Sequence, residues 1–460
     1  MKPLILVFVF ATLAAPARIL GQTLDGVWQS EGYGNLYDIR GDTLTVLEVT
    51  QISCLDARTA TRLAGPPPGV EASFRLVGAA AVLQVLATSD PDRKRFHPNG
   101  AASDIIARRI PAKPDRCQSP PANTPEFMFD VFAATWAEQY GFFDLKGIDW
   151  SKVVADNRPR VAAATTPEQF FGILQSMIEP FGDAHSGIDA PALQRHFNGR
   201  RFGPRYLDDA ERTQAFDIVE KRYLRGPIRS WCNGKVQFGR LDGDLGYLRI
   251  RSFAGYAADE PNIVDQFEAG RRALETALDS ILGGGPELRG LIVDVRLNGG
   301  GADPYGLAIA SRLATSEYLA YAKQARAEPL NPSAWTPEQP SVVRPSTRPG
   351  FRGEIALLTG PQSISGAETF TQALINRRPR VVRIGEPTQG VFSDVLDRRL
   401  PNGWRFGLPN ERFVTDGKSF DGPGIPPDIV VPIFPASDLA AGRDGALEKA
   451  MEVVRVSARR

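Results

Sequence analysis

An α/β fold, preceded by a β-rich region and a helical region, is predicted for this 460-residue chain on three observations. From Asp244 to Ile384, short apolar runs alternate with helix-like stretches, the pattern of a largely parallel sheet flanked by helices. Between 123 and 192, apolar and aromatic residues recur at helical spacing. Between 24 and 117, brief alternating segments are broken by turn residues, as in a small antiparallel sheet or barrel. The chain is too long for one ordinary domain. The expected organisation is a signal peptide over 1–21, a β-rich domain over 24–117, a helical subdomain over 123–192, an α/β core over 235–435 and a C-terminal helix over 436–460.

The first 21 residues read as an export signal: Lys2, an apolar run from Leu4 to Ala14, then small residues around Ala15, Pro16 and Ala17, with cleavage expected after Ala17 or Gly21. The run is too short to span a bilayer, and no later stretch is long and apolar enough, so no stable membrane span is expected. The destination is then the periplasm or the extracellular space. Lys plus Arg number 54 against 53 Asp plus Glu, without a long basic run, so nucleic acid is not an expected partner. Of three cysteines, Cys54 and Cys117 fall in or beside the first domain and are the favoured disulfide pair, leaving Cys232 free. The three histidines, His97, His185 and His196, have no metal-ligand spacing and there is no CxxC, so no metal is expected.

In the β-rich region, Thr43–Val49 and Ala72–Val77 alternate, with turns at 32–35 and a three-proline loop at 65–69. The proline-rich stretch 111–123 is a linker. Helices are then expected at Phe127–Tyr140, from Trp150, and after Thr166, where Pro167 and Gln169 mark a helix start leading into Phe170–Ile178. Residues 191–235 are polar and basic without clear pattern, and read as connecting structure. In the core, Leu245–Ile250, Leu291–Val295, Ile355–Leu358 and Val381–Ile384 read as strands. Asn262–Leu282, Pro304–Leu313 and the stretch after Ser365 read as helices.

Three places carry candidate chemistry. Ser365 sits where a strand, a tight turn and a helix start meet, beside free N–H groups that favour negative charge. The alternative is a helix cap, since Ser365 and Glu368 have capping-box spacing. His185 lies in a Gly-flanked loop after the helical subdomain, where it is either a general base or a surface residue. The glycines 299–301 follow a strand; they match neither GxGxxG nor GxxxxGK[ST], so no nucleotide or other cofactor is expected. A backbone oxyanion donor is the better functional reading there, a plain tight turn the other.

Five segments occur in order: GDAHSGI at 182–188, LIVDVRLNGGG at 291–301, LLTGPQSISGAE at 357–368, IGEPTQG at 384–390 and DGPGIPPDI at 421–429. Together they resemble the serine peptidase family of the tail-specific proteases, the tricorn protease core and the interphotoreceptor retinoid-binding protein modules, over roughly 123–435. The resemblance implies a ClpP/crotonase-like ββα core with a helical subdomain. It places the nucleophile on Ser365, with Ser363 as the alternative, and the oxyanion N–H groups at Gly300 or Gly301 and at Gly366. The processing enzymes use a lysine about twenty-five residues after the serine; no lysine lies between Ser365 and Lys418 here, which excludes that dyad. The tricorn-like branch has a histidine where His185 stands, and its carboxylate falls on Asp421, with Glu386 less supported and Asp428 structural. Ala184 replaces the serine of the tricorn core that precedes the histidine, so that Asp421 would act directly, or through Ser186 or a water. No PDZ pattern lies between Ile188 and Leu245.

The leading expectation is an exported serine peptidase acting on peptides or unfolded protein, with a homo-oligomer left open. The alternative is a non-catalytic protein binding a peptide or an apolar ligand on the same scaffold. A third reading is an esterase or amidase.

Overall fold

The computed structural model describes residues 24–457, other than 79–80, 201–205, 258–262, 286 and 330. The expected signal peptide lies outside the described residues. The long apolar runs of the core become strands buried on both faces. A seven-stranded sheet runs in the order Arg229–Trp231, Val236–Leu241, Leu245–Ile250, Gly290–Asp294, Ile355–Thr359, Val382–Gly385, Ile429–Val430. The first two pairings are antiparallel and the other four parallel. Side chains alternate between faces. Leu291, Val293 and Leu357 join one apolar core, Ile292, Ala356 and Leu358 the other. Helices Ile263–Leu282, Asp303–Leu313 and Gly366–Ala373 cover the first face; Asp209–Ile218 and Gly445–Ser457 cover the second.

The stretch 191–235 departs from its reading as connecting structure. It contains the strand Arg195–Asn198 and the helix Asp209–Ile218, whose capping box of Asp208 and Glu211 was a signal legible in the sequence. A further antiparallel sheet centres on Tyr318–Glu328, which pairs with Asn331–Trp335, Gln339–Val343 and Glu411–Thr415.

The helices Pro125–Gln139, Trp150–Asn157 and Pro167–Ile178 share an aromatic core. The last opens on a Thr166/Gln169 capping box with Pro167 in its first turn. Into that core project Leu400, Trp404, Phe406 and Leu408 from the hairpin of Val395–Arg399 and Arg405–Pro409. The same hairpin pairs with Gly187–Ala190, just after His185. This pairing carries the histidine loop from the helical region onto the core.

Eight antiparallel strands between Gly26 and Ile110 form a closed barrel around Trp28, Tyr37, Phe74 and Phe96. Cys54 and Cys117 form a disulfide, the favoured pairing, and Cys232 is free and buried. No helix among the described residues is long and apolar enough to cross a membrane.

Candidate active site

The strand Ile355–Thr359 ends in a loop that turns sharply into the Gly366–Ala373 helix at Ser365, which has φ 56° and ψ −121°. An L-residue held at positive φ stores on the order of 1–3 kcal/mol and persists only where surrounding contacts impose it. Here they do. The Ser365 N–H donates to the Val391 carbonyl at 3.1 Å and to Glu368 Oε2 at 3.1 Å, and its carbonyl accepts from the Glu368 N–H at 2.7 Å. The carboxylate half of a capping box is thus present. The Ser365 hydroxyl donates no hydrogen bond among the described residues; its oxygen faces the Glu368 N–H within the capping box, and the residue is half-buried. Ser363 is different: it is fully buried, its hydroxyl donates to the Val295 carbonyl at 2.8 Å and accepts from the Gly360 N–H at 3.1 Å. It braces the loop.

The glycine loop lies directly against this turn. A Cβ on Gly300, whose φ is +91°, would fall 2.7 Å from Ser365 Cβ and 2.9 Å from Gly366 N; one on Gly366 would fall 3.0 Å from Gly301 N. The loop is set by Asn298, a buried side chain that receives the Gly300 N–H at 2.8 Å and donates to the Ile250 carbonyl at 2.9 Å. Because Gly300 spends its N–H on Asn298, the N–H groups beside Ser365 without a partner among the described residues are those of Gly301 and Gly366. Gly301 is exposed.

Glu368 clamps the opposite wall. Fully buried, it accepts the N–H groups of Gly390 at 2.6 Å and Val391 at 2.8 Å as well as that of Ser365. Burial pushes its carboxyl up to about 7, against the pull of Thr388 and these three N–H groups. The sequence showed Glu368 only as a capping partner; the non-local loop it holds was not legible there.

His185 is anchored through its own N–H, which donates to Asp183 Oδ1 at 2.8 Å. Burial pushes its imidazole below the ordinary value, while Asp183, Asp394 and the Ser393 backbone favour the charged ring and Arg200 opposes it. Its Nδ1 is buried with no hydrogen-bond partner among the described residues, as is the Ser186 hydroxyl. No hydrogen bond joins His185 to Ser365. They meet the same short segment, however: Val391 binds the Ser365 N–H and Ser393 acts on the ring. Those two residues are at most about 7 Å apart along the chain.

Asp421 is buried beside the nucleophile turn. Its Oδ2 accepts from the Ser419 hydroxyl at 2.6 Å, and the Phe392 backbone also supports it. Burial first, then the neighbouring Glu368 and Asp183 charges, push its carboxyl up to about 7, against Ser419 and Phe392. No hydrogen bond joins it to His185. Glu386 accepts the Ile433 N–H at 3.1 Å, and Asp428 is paired with Arg383 at 2.8 Å.

Residues 244–431 match the family model of peptidase family S41, and residues 121–179 that of the tricorn protease C1 domain. No curated protein matches the chain. Among solved structures, a candidate peptidase from Parabacteroides merdae is similar at 25% identity and TM-score 0.59, over 72% of this chain and 97% of that one. Mature CPAF in complex with lactacystin is similar at 12% identity and TM-score 0.50, over 72% of this chain and 98% of that one, a likeness of fold. With two family models on successive stretches of one chain and an S41-like core around a strand–serine–helix turn, the protein belongs to peptidase family S41 and is a serine peptidase.

Proposed function

We propose that the protein is an exported peptidase that hydrolyses peptide bonds in peptides or unfolded proteins with Ser365 as nucleophile and His185 as base. One observation carries this reading: a serine held at positive φ, whose hydroxyl donates to nothing among the described residues, beside the N–H groups of Gly301 and Gly366, which have no partner among the described residues. Ser365 Oγ attacks the substrate carbonyl while His185 removes its proton. The oxyanion is held by the two N–H groups, an arrangement in which one donor is typically worth about 10²- to 10³-fold in rate. Collapse of the tetrahedral adduct hands the proton to the leaving amine, and water, activated in turn by the imidazole, releases the acyl group. The lowered imidazole pKa keeps the ring neutral, as a base must be, at neutral pH. Asp421 supports the same site through the Phe392 backbone, in the segment that also meets the ring. Export is supported by the Cys54–Cys117 disulfide, a bond that persists in oxidising compartments.

Ser365→Ala and His185→Ala should each abolish hydrolysis of an unstructured peptide while leaving the unfolding transition in place. A fluorophosphonate should label the wild-type protein at Ser365. Full activity in either variant refutes the assignment, and a folded protein that takes no label would favour binding without turnover.

A further inference from the structure

The sheet that carries the histidine loop has a second face. The hairpin of Val395–Arg399 and Arg405–Pro409 turns Leu396, Phe406 and Leu408 into the aromatic core. Side chains alternate along a strand, so Val395, Asp397, Arg405 and Gly407 face the other way, as do Gly187 and Asp189, which pair with Gly407 and Arg405. Together with His185 these residues line a groove of about 340 Å³. Val395 leans over Gly407, its Cγ1 lying 2.5 Å from where a Cβ on that glycine would stand, and is 45% exposed, which gives the groove an apolar floor. Asp397 stands two residues further along the same face, about 7 Å away. Its side chain is 64% exposed and its carboxylate accepts no hydrogen bond among the described residues; Arg58 of the barrel lies 3.6 Å off. Asp189, by contrast, already holds Arg405 at 2.8 Å. The groove wall also carries two buried polar atoms without a hydrogen-bond partner among the described residues, His185 Nδ1 and the Ser186 hydroxyl. With His185 and His196 neutral, the lining has one net negative charge, two aspartates against Arg405; Arg399, the next outward residue of the strand, does not line it.

We propose that this groove is the subsite for a basic side chain, lysine or arginine, on the leaving side of the scissile bond, with Val395 under the aliphatic stem and Asp397 taking the charge. This rests on His185 being the base, as proposed above. The imidazole returns its proton to the leaving amine, so the substrate residues that follow the cut lie on the His185 side of the nucleophile. Lysine and arginine pack their methylenes on apolar surface and keep the charged head in a polar setting, which is the order of Val395 and Asp397 along the strand. A substrate cation reaches the Asp397 oxygens at hydrogen-bonding distance, closer than Arg58 stands, and so competes with it. Val395 and Asp397 also line a cavity of about 250 Å³ between barrel and core, so the barrel borders the subsite and Arg58 tempers its charge.

The full-length protein is given a mixed pool of unstructured peptides and the cut sites are read by mass spectrometry; lysine and arginine should be enriched in the first residues after the cut. For matched peptides carrying lysine or glutamine there, kcat/KM should favour lysine by about three- to fivefold, the range of a partly exposed ion pair. Asp397→Asn should bring that ratio to about one. Asp397→Lys should turn the preference toward glutamate, and Asp397→Glu should keep it for lysine. A lysine preference that survives unchanged in Asp397→Asn, or a wild-type enzyme with no basic preference after the cut, overturns the proposal. Binding of the same peptides to Ser365→Ala, followed by fluorescence anisotropy, separates this from the peptidase reading. A wild-type protein that cleaves nothing, while Ser365→Ala binds lysine peptides more tightly in a way that Asp397→Asn abolishes, keeps the groove and sinks the hydrolytic mechanism.

Discussion

Gly300→Ala is the sharpest probe of the contact between the glycine loop and the nucleophile. At φ +91° an added methyl costs about 1–2 kcal/mol in backbone strain alone. Its carbon would also stand 2.6 Å from the Ile364 carbonyl oxygen, 2.7 Å from Ser365 Cβ and 2.9 Å from Gly366 N. Relief to an ordinary 3.4 Å contact needs a separation of ~0.8 Å (3.4 − 2.6), which cannot come from a flexible side-chain end because backbone atoms are involved. Overpacking of this kind costs about 1–3 kcal/mol more, giving a total of about 2–5 kcal/mol. The same displacement parts Ser365 from the Gly301 N–H. Misplacement on the order of 1 Å at a reacting group costs about 10²-fold in rate. Denaturant unfolding and peptide hydrolysis should therefore both respond: lower stability, and kcat/KM down by about 10²-fold. Gly299→Ala is the internal control, since a Cβ there meets nothing within 4 Å and no positive φ is required. If Gly300→Ala cleaves peptide within a few-fold of wild type, the packing of glycine loop on nucleophile does not govern the chemistry, and the oxyanion assignment fails with it.

Glu368 and Asp421 both have folded-state values near 7, well above those of free carboxyls. Each therefore contributes stability that is complete below its unfolded pKa, near pH 4, and is lost as the pH rises toward 7. For Glu368 the loss is on the order of 3 kcal/mol at most. Glu368→Gln should flatten the fall in unfolding midpoint between pH 4.5 and 7.5, and an unchanged slope would count against a raised value. Asn298→Ala should lower stability by about 1–3 kcal/mol, because it strands the Ile250 carbonyl and the Gly300 N–H in the interior, and should slow fluorophosphonate labelling; normal labelling would contradict its bracing role. Replacing Cys54 and Cys117 by serine opens a loop spanning 63 residues, worth about 4 kcal/mol in chain entropy, and should lower the thermal midpoint of the barrel. An unchanged midpoint would refute that estimate.

Local pattern made much of this legible in advance. The core strands and helices carry their own signals, since a strand buried on both faces must be apolar throughout, as in Leu291–Val293 and Ile355–Leu358, and a helix start needs caps such as Thr166. The Ser365 turn and the glycine loop were legible for the same reason: each is a few consecutive residues whose backbone demands are written locally. The pairing of Tyr318–Glu328 with Glu411–Thr415 was not, because the two strands are distant in the chain.

The amino-acid sequence alone determined the family, the α/β core, and which serine and glycines form one turn, because short-range backbone geometry and the order of the motifs carry that information. Only the tertiary structure decided how that turn is held and what surrounds the histidine. Glu368 clamps three N–H groups, two of them over twenty residues away, and Asn298 occupies the Gly300 N–H. Charges and hydrogen bonds act through space, so what surrounds a carboxylate is fixed only in the fold: Asp421 is buried with its oxygen on the Ser419 hydroxyl, and Asp428 lies between two arginines.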